Sequence, residues 1–231
     1  MIELAHLSAE LAVALKPSGL ATTAPEGEDC LTRRLEAQLG GSLHPTSRLD
    51  AEVTGLVTFA RTKQAIATLT RARREGRYHR EYLALAVAAP DLPEGAWSWS
   101  IGIDPKDRRL RVALEPGARG NRVQAARSRY RLLEAMPHGA ALALFPETGR
   151  THQLRVHAAR AGLPLIGDVR YGGPRRVALD DGRVIRAARV MLHCRRLVLP
   201  DAEGGEIALE AAVPEDLAKV WQALGGTTLE G

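Results

Sequence analysis

The sequence predicts an α+β fold built on a mixed, mostly antiparallel sheet with flanking helices. Two observations carry this. Strand-like segments come in groups that follow one another directly, not in βαβ alternation. Segments with helical apolar spacing are few, and turn residues punctuate the chain between them.

In chain order, Leu11 to Leu15 is a short apolar run stopped by Lys16-Pro17-Ser18-Gly19, a strand followed by a turn. Leu31, Leu35 and Leu39 have the spacing of one helix face, and Gly40-Gly41 closes it. Gly55 to Ala60 reads as a buried strand, Gln64 to Arg74 as a helix, and Tyr82 to Ala88 as a further strand. Arg109 to Leu114, Ser128 to Leu133 and Ala140 to Phe145 read as strands, and Thr151 to Ala161 as a helix that Gly162 ends. Leu197 to Leu199 and Ile207 to Ala211 are short strands, and Pro214 opens a last helix to about Leu224. The loops at 90–95 and 116–124 are too short for domain linkers, so residues 1–231 are expected to form one domain.

Composition fits a globular chain, with 45% hydrophobic and 26% charged residues. No apolar run approaches the ~18 residues of a membrane span, and the opening MIELAHLSAE lacks a secretory pattern. Cys30 and Cys194 are isolated, which argues against a zinc site or a disulfide framework and fits a reducing cytoplasm. The net charge is +5, and Arg supplies 28 of the 32 basic residues. Arginine grips phosphate with a planar fork and stacks on bases, so a nucleic-acid partner is expected. A GC-biased genome would enrich Arg, Ala and Gly equally.

Three segments carry chemistry. Ser47-Arg48-Leu49-Asp50 places a cation and a carboxylate in a loop leading into a buried strand, where catalytic groups tend to sit. A capping Asp beside a surface Arg fits the same letters. Residues 146–157 pack Arg150, His152, Gln153, Arg155 and His157 around one strand-to-helix turn, suited to phosphate, a carboxylate or a base edge. His152 and Arg155 share a helix face, whereas His152 and His157, five apart, make a poor metal pair. Residues 71–82 hold Arg71, Arg73, Arg74, Arg77 and Arg80 with Tyr78 and Tyr82, a stretch able to grip a backbone and stack a base, or a plain solvated helix end.

Together these segments resemble the RluA-type pseudouridine synthases. Ser47 to Gly55 resembles the family's HRLDxxTSG, and 149–157 matches its GRTHQ(I/L)RVH. Lys16-Pro17-Ser18-Gly19-Leu20 resembles KPxGL, and Glu81 to Leu85 resembles the YxAxV strand. Gly162 to Gly172 resembles GHPIxGDxxYG, and Arg189 to His193 resembles RxxLHA. The likeness runs in order over roughly residues 10–215. Ser47 departs from the usual His, Val53-Thr54 from Thr-Ser, Leu163 from a common His, and Gln124 from the Lys of KxAxTxY.

The resemblance implies a pseudouridine synthase fold and an isomerase acting on uridine in ribosomal or transfer RNA. It implies no cofactor, no metal, no membrane partner and no separate N-terminal RNA-binding domain; a cytoplasmic monomer is expected. Asp50 is the implied catalytic carboxylate, Arg155 its expected partner in the folded core, and Tyr82 the residue against the uracil. Arg48 is expected to fill the stack a flipped base vacates. Arg150, His152, Arg73, Arg74 and Arg77 are expected RNA contacts. Rival readings are weaker. A glycosidase needs two carboxylates, and only Asp50 is embedded in a motif, while Glu147 and Asp168 have structural readings. A silent RNA-binding protein would be expected to lose Asp50 or Arg155. A DNA-binding module would show a helix-turn-helix, finger or heptad pattern.

Overall fold

The computed structural model describes residues 1–120, 122–201 and 205–227. The chain divides into two compact units, Met1–Glu81 with His193–Ala212, and Tyr82–Leu192 with Val213–Gly231.

The first unit is organised by β4 (Thr54–Ala60), every residue of which is buried. Along one edge it pairs antiparallel with β2 (Leu11–Lys16), which pairs antiparallel with β1 (Leu4–Leu7). The first residues of β4, Thr54 and Gly55, run parallel to His193 and Cys194 of β13 (Leu192–Pro200). Its last residues meet β3 (His44–Pro45), and β14 (Glu206–Glu210) pairs antiparallel with β13. Helix α1 (Leu31–Leu39) buries Leu31 and Leu35, one turn apart. Helix α2 (Lys63–Arg74) buries Ala65, Leu69 and Ala72 and packs on β4. It starts where the Thr62 hydroxyl accepts from the Ala65 N–H at 3.1 Å, satisfying an end donor of the helix.

In the second unit, β5 (His79–Ala86), β10 (Gly139–Pro146), β9 (Ser128–Met136) and β6 (Glu94–Trp97) pair antiparallel in that order. Two hairpins, β7–β8 (Ser100–Ile103, Arg111–Leu114) and β11–β12 (Arg176–Ala178, Val184–Arg186), form separate ribbons. Helix α3 (Gln153–Arg160) follows β10, and α4 (Glu215–Ala223) closes the unit. The core gathers Leu83, Leu85, Met136, Ile166 and Met191 around Leu217, Val220 and Trp221 of α4. Arg189 anchors that helix, forking onto Asp216 at 2.7 and 2.9 Å.

Every pairing described above is antiparallel except β4 against β13, so the mixed, mostly antiparallel α+β reading holds. Boundaries differ in instructive places. β5 begins at His79, three residues before the alternation becomes visible at Tyr82. The segment expected as a loop over 90–95 already enters β6 at Glu94. The helix expected from Thr151 starts at Gln153, because His152 takes a left-handed conformation with φ 57°. Of the loop expected over 116–124, residue 121 lies outside the described residues. No helix among them is long and apolar enough to cross a membrane.

Gly55 has a positive φ of 115°, and a Cβ there would lie 2.3 Å from the Cys194 carbonyl oxygen. The parallel strand therefore approaches β4 closely only over a glycine. Gly55→Ala is expected to destabilise the protein by more than the ~1–3 kcal/mol of left-handed strain alone, because backbone rather than a flexible side chain stands in the way. Urea unfolding of the variant measures this.

Candidate active site

The turn that carries Asp50 is fastened on both sides. Lys16 ends β2 and is 1% exposed. Its ammonium donates to the carbonyls of Pro17 (2.8 Å), Leu20 (2.7 Å) and Ala51 (2.9 Å). A buried ammonium needs such acceptors, since its desolvation is otherwise costly. On the other side of Asp50, the Thr22 hydroxyl donates to the Leu49 carbonyl and accepts from the Leu49 N–H, both at 3.0 Å. The Ala51 carbonyl also takes the Gly19 N–H at 2.8 Å, and Val53 N–H closes the turn on the Asp50 carbonyl at 3.0 Å. Asp50 thus sits half-buried between two fixed neighbours, with Arg48 exposed beside it.

Ser47, which departs from the resembling motif, is buried, and its hydroxyl accepts from the Thr58 N–H at 3.0 Å. It binds the turn to β4. Thr54, from the Val53-Thr54 departure in the same motif, bonds through its hydroxyl to His193 Nδ1 at 2.9 Å.

The basic stretch at the end of α2 leaves Arg73, Arg74 and Arg77 exposed. Arg77 is engaged with Glu75 at 2.6 Å. Tyr78 is a correction to the sequence reading. It is 7% exposed, bonds through its hydroxyl to Thr58 Oγ1 at 2.9 Å, and lies under the Arg73 guanidinium at 4.3 Å. Its ring is spent on packing, not offered to a base.

In the second unit, Tyr82 is buried on β5 opposite Leu144. The 146–157 block turns from β10 into α3 through the left-handed His152, a conformation histidine tolerates better than most residues. Arg155 and Asp168 are both nearly inaccessible, and Nε and Nη2 of the arginine fork onto the carboxylate at 2.7 and 2.6 Å. The sequence pairs Arg155 with Asp50 across 105 positions; within its own unit the guanidinium engages Asp168, read from sequence as structural. Tyr171 joins the same group. Its ring lies 5.0 Å from the Arg155 guanidinium, and its hydroxyl meets His152 Nδ1 at 2.6 Å and the Arg111 N–H at 3.0 Å. Arg150 is half-buried, donating from Nε to the Ala125 carbonyl at 3.0 Å.

Gln153 and His157 belong to a hydrogen-bond chain that sequence reasoning missed. The His157 Nε2–H donates to the Trp99 carbonyl at 3.0 Å. A carbonyl only accepts, so Nδ1 is the bare nitrogen and accepts from the Ser128 hydroxyl at 3.1 Å. Ser128 in turn accepts from the Gln153 amide at 2.9 Å, which also reaches the Arg127 carbonyl at 2.9 Å. The Gln153 oxygen takes the Thr148 hydroxyl at 2.7 Å and the Arg150 N–H at 3.0 Å. These residues build the turn. The one sequence signal was their density within a single motif.

The residues 10–160 match the family model described as RNA pseudouridylate synthase. An uncharacterized RNA pseudouridine synthase of Chloroflexus aurantiacus is 37% identical over 198 residues, 84% of this chain and 58% of that protein. A ribosomal large subunit pseudouridine synthase D of Nitrosomonas europaea is 35% identical over 178 residues, 77% of this chain and 50% of that one. The chain thus spans only about half the length of such curated relatives. The solved structure of human RNA pseudouridylate synthase domain containing 4 superposes with a TM-score of 0.76 at 25% identity, covering 96% of this chain and 93% of that one.

Two outcomes are expected from this geometry. Lys16→Met keeps the buried stem but leaves the Leu20 carbonyl without the Lys16 donor. A loss of about 1–3 kcal/mol for such a buried group is expected by denaturant unfolding. Burial pushes the His157 imidazole below the ordinary 6.5 of histidine, against its hydrogen bond to Trp99, which pulls the other way. A depressed histidine contributes stability that is fully present above the unfolded value. That stability is lost as pH falls below 6.5 toward the folded value. Melting temperature followed from about pH 8 to pH 5 should therefore fall for wild type and fall less for His157→Asn.

Proposed function

The chain belongs to the RNA pseudouridylate synthase family, and from that premise we propose that it isomerises specific uridines of ribosomal or transfer RNA, with Asp50 as its catalytic carboxylate. The reaction breaks the N1–C1′ glycosidic bond, turns the uracil and rejoins it through C5. No electron or group is imported, so the balance calls for no cofactor and no metal. What it calls for is one ionised carboxylate held in register with the sugar or the base.

The observation that carries this reading is the fastening of the Asp50 turn. Leu49 is held by Thr22 and Ala51 by Lys16, so the residue between them has little backbone freedom. A catalytic group whose neighbours are locked before substrate arrives needs no reorganisation when it does. A merely capping aspartate needs no such frame around it.

The remaining roles follow from the motifs. Arg155 sets the charge environment of the reacting carboxylate and, being clamped by Asp168, presents a fixed cation. Tyr82 packs against the uracil and takes part in the late removal of the C5 proton. Arg48 fills the stack that the flipped uridine leaves, a flip that costs a few kcal/mol in a duplex and less in a loop. Arg150, His152, Arg73, Arg74 and Arg77 hold the RNA. We take residues 1–231 as one catalytic domain acting in the cytoplasm as a monomer.

Asp50→Asn is nearly isosteric, so the variant should fold with little change in melting temperature while losing at least about a thousandfold in turnover, the scale on which essential catalytic groups act. Pseudouridine mapping of RNA from cells with and without the protein supplies the substrate on which to measure it. Turnover within tenfold of wild type on that RNA would sink the assignment of Asp50.

A further inference from the structure

The β11–β12 ribbon carries an arrangement that the reaction does not require. Its register sets Arg176 directly opposite Arg186, Val177 opposite Ile185, and Ala178 opposite Val184. Alternation sends the middle pair inward, where Val177 and Ile185 pack against the core around α4. The flanking pairs face the other way and are exposed. Two guanidinium groups therefore stand side by side on one solvent face. Like charges at directly opposed strand positions destabilise the pairing.

The rest of the hairpin handles its charges differently. At the turn, Arg183 is paired with Asp181 at 2.6 Å, and Asp180 lies 3.5 Å from His138. Among the described residues, neither Arg176 nor Arg186 has a carboxylate within ion-pair distance. The neutralised turn and the uncompensated rung sit on the same short ribbon, so a general excess of arginine does not account for the contrast. An anion supplied from outside would remove the repulsion and give both forks acceptors.

We infer that the Arg176–Arg186 rung of the β11–β12 ribbon is a docking surface for the phosphodiester backbone of RNA, gripping phosphates away from the reacting uridine. The inference rests on the proposed function for its choice of polyanion. Its physical basis is separate: two planar forks, a fixed spacing imposed by the strand register, and a rigid apolar mount. Adjacent backbone phosphates suit paired forks, whereas isolated carboxylates on a protein surface do not offer that repeat. The exposed Ala178 and Val184 beside the rung leave room for a backbone to lie along the ribbon.

The test uses the full chain, a double variant Arg176→Gln with Arg186→Gln, and the single variant Arg186→Glu. Each is titrated with a labelled ribosomal RNA stem-loop over a salt series, and each is melted without RNA. The double variant should bind roughly tenfold more weakly at low salt. Its slope of log affinity on log salt should be shallower by about 1.4–1.8, the loss of two phosphate contacts. Arg186→Glu should melt above wild type, because opposite charges now face each other, yet bind RNA less well than wild type. A residue with only a structural role would not raise stability and lower affinity in one substitution. If Arg186→Glu fails to fold, the double variant alone decides. Unchanged RNA affinity and slope in the double variant would overturn the inference and point to an acidic protein surface instead. Pseudouridine formation by wild type is measured on the same RNA. If none forms while the variants still lose salt-dependent binding, the ribbon stands and the proposed reaction falls; if it forms and the variants bind as wild type does, the reverse holds.

Discussion

A buried ammonium needs acceptors wherever the chain places it, and Lys16 finds them in the turn that holds Asp50. That requirement links the end of β2 to a segment more than thirty positions later in sequence. It explains why the Lys-Pro-Ser-Gly-Leu segment and the Arg-Leu-Asp segment form one structural feature. Removing the lysine would strand carbonyls; removing the turn would strand the charge. Neither half is stable in that form without the other, so the turn's shape is set before any substrate arrives.

The same logic operates around α3. Arg155 and Asp168 are both withdrawn from water, and each makes the other's burial tolerable. Such a pair contributes little net stability, since desolvation offsets much of the attraction. What it supplies is direction: a forked contact allows one orientation of the guanidinium plane. The ring of Tyr171 stacks near that plane while its hydroxyl holds His152 and the β8 backbone. The motif helix, the turn after it and the β7–β8 ribbon are thereby locked to one another.

The elements legible in the sequence were those whose apolar pattern was long enough to speak alone. Helix α1 falls on Leu31–Leu39 as its leucine spacing predicts, and α2, β2, β4, β10 and α4 fall within a residue or two of expectation. The strands β1, β3, β6, β7, β11 and β12 are four residues or shorter, and their identity comes from a partner rather than from their own letters. The site divides along the same line. The motifs marked the right segments, but a residue's use depends on what lies opposite it. Tyr78 looked like a stacking platform until Thr58 and Arg73 enclosed it. Asp168 carried no local sign that it would meet Arg155, thirteen positions back. Ser47 looked like a lost histidine, yet its small hydroxyl is what bonds the β4 backbone.

The chain of bonds from Thr148 through Gln153 and Ser128 to His157 ends on the Trp99 carbonyl, and that end fixes the polarity of every link. Each donor must hand its proton in one direction only. No member can then change its hydrogen-bonding character alone, because reversing one link leaves two lone pairs or two protons facing each other in a buried place. Mutational paths through this turn are accordingly rugged. A single replacement leaves a buried group unmatched, so change calls for concerted replacement of residues drawn from a helix, a strand and the loops beside them. One proton order thus ties these residues together, whichever of them touches substrate.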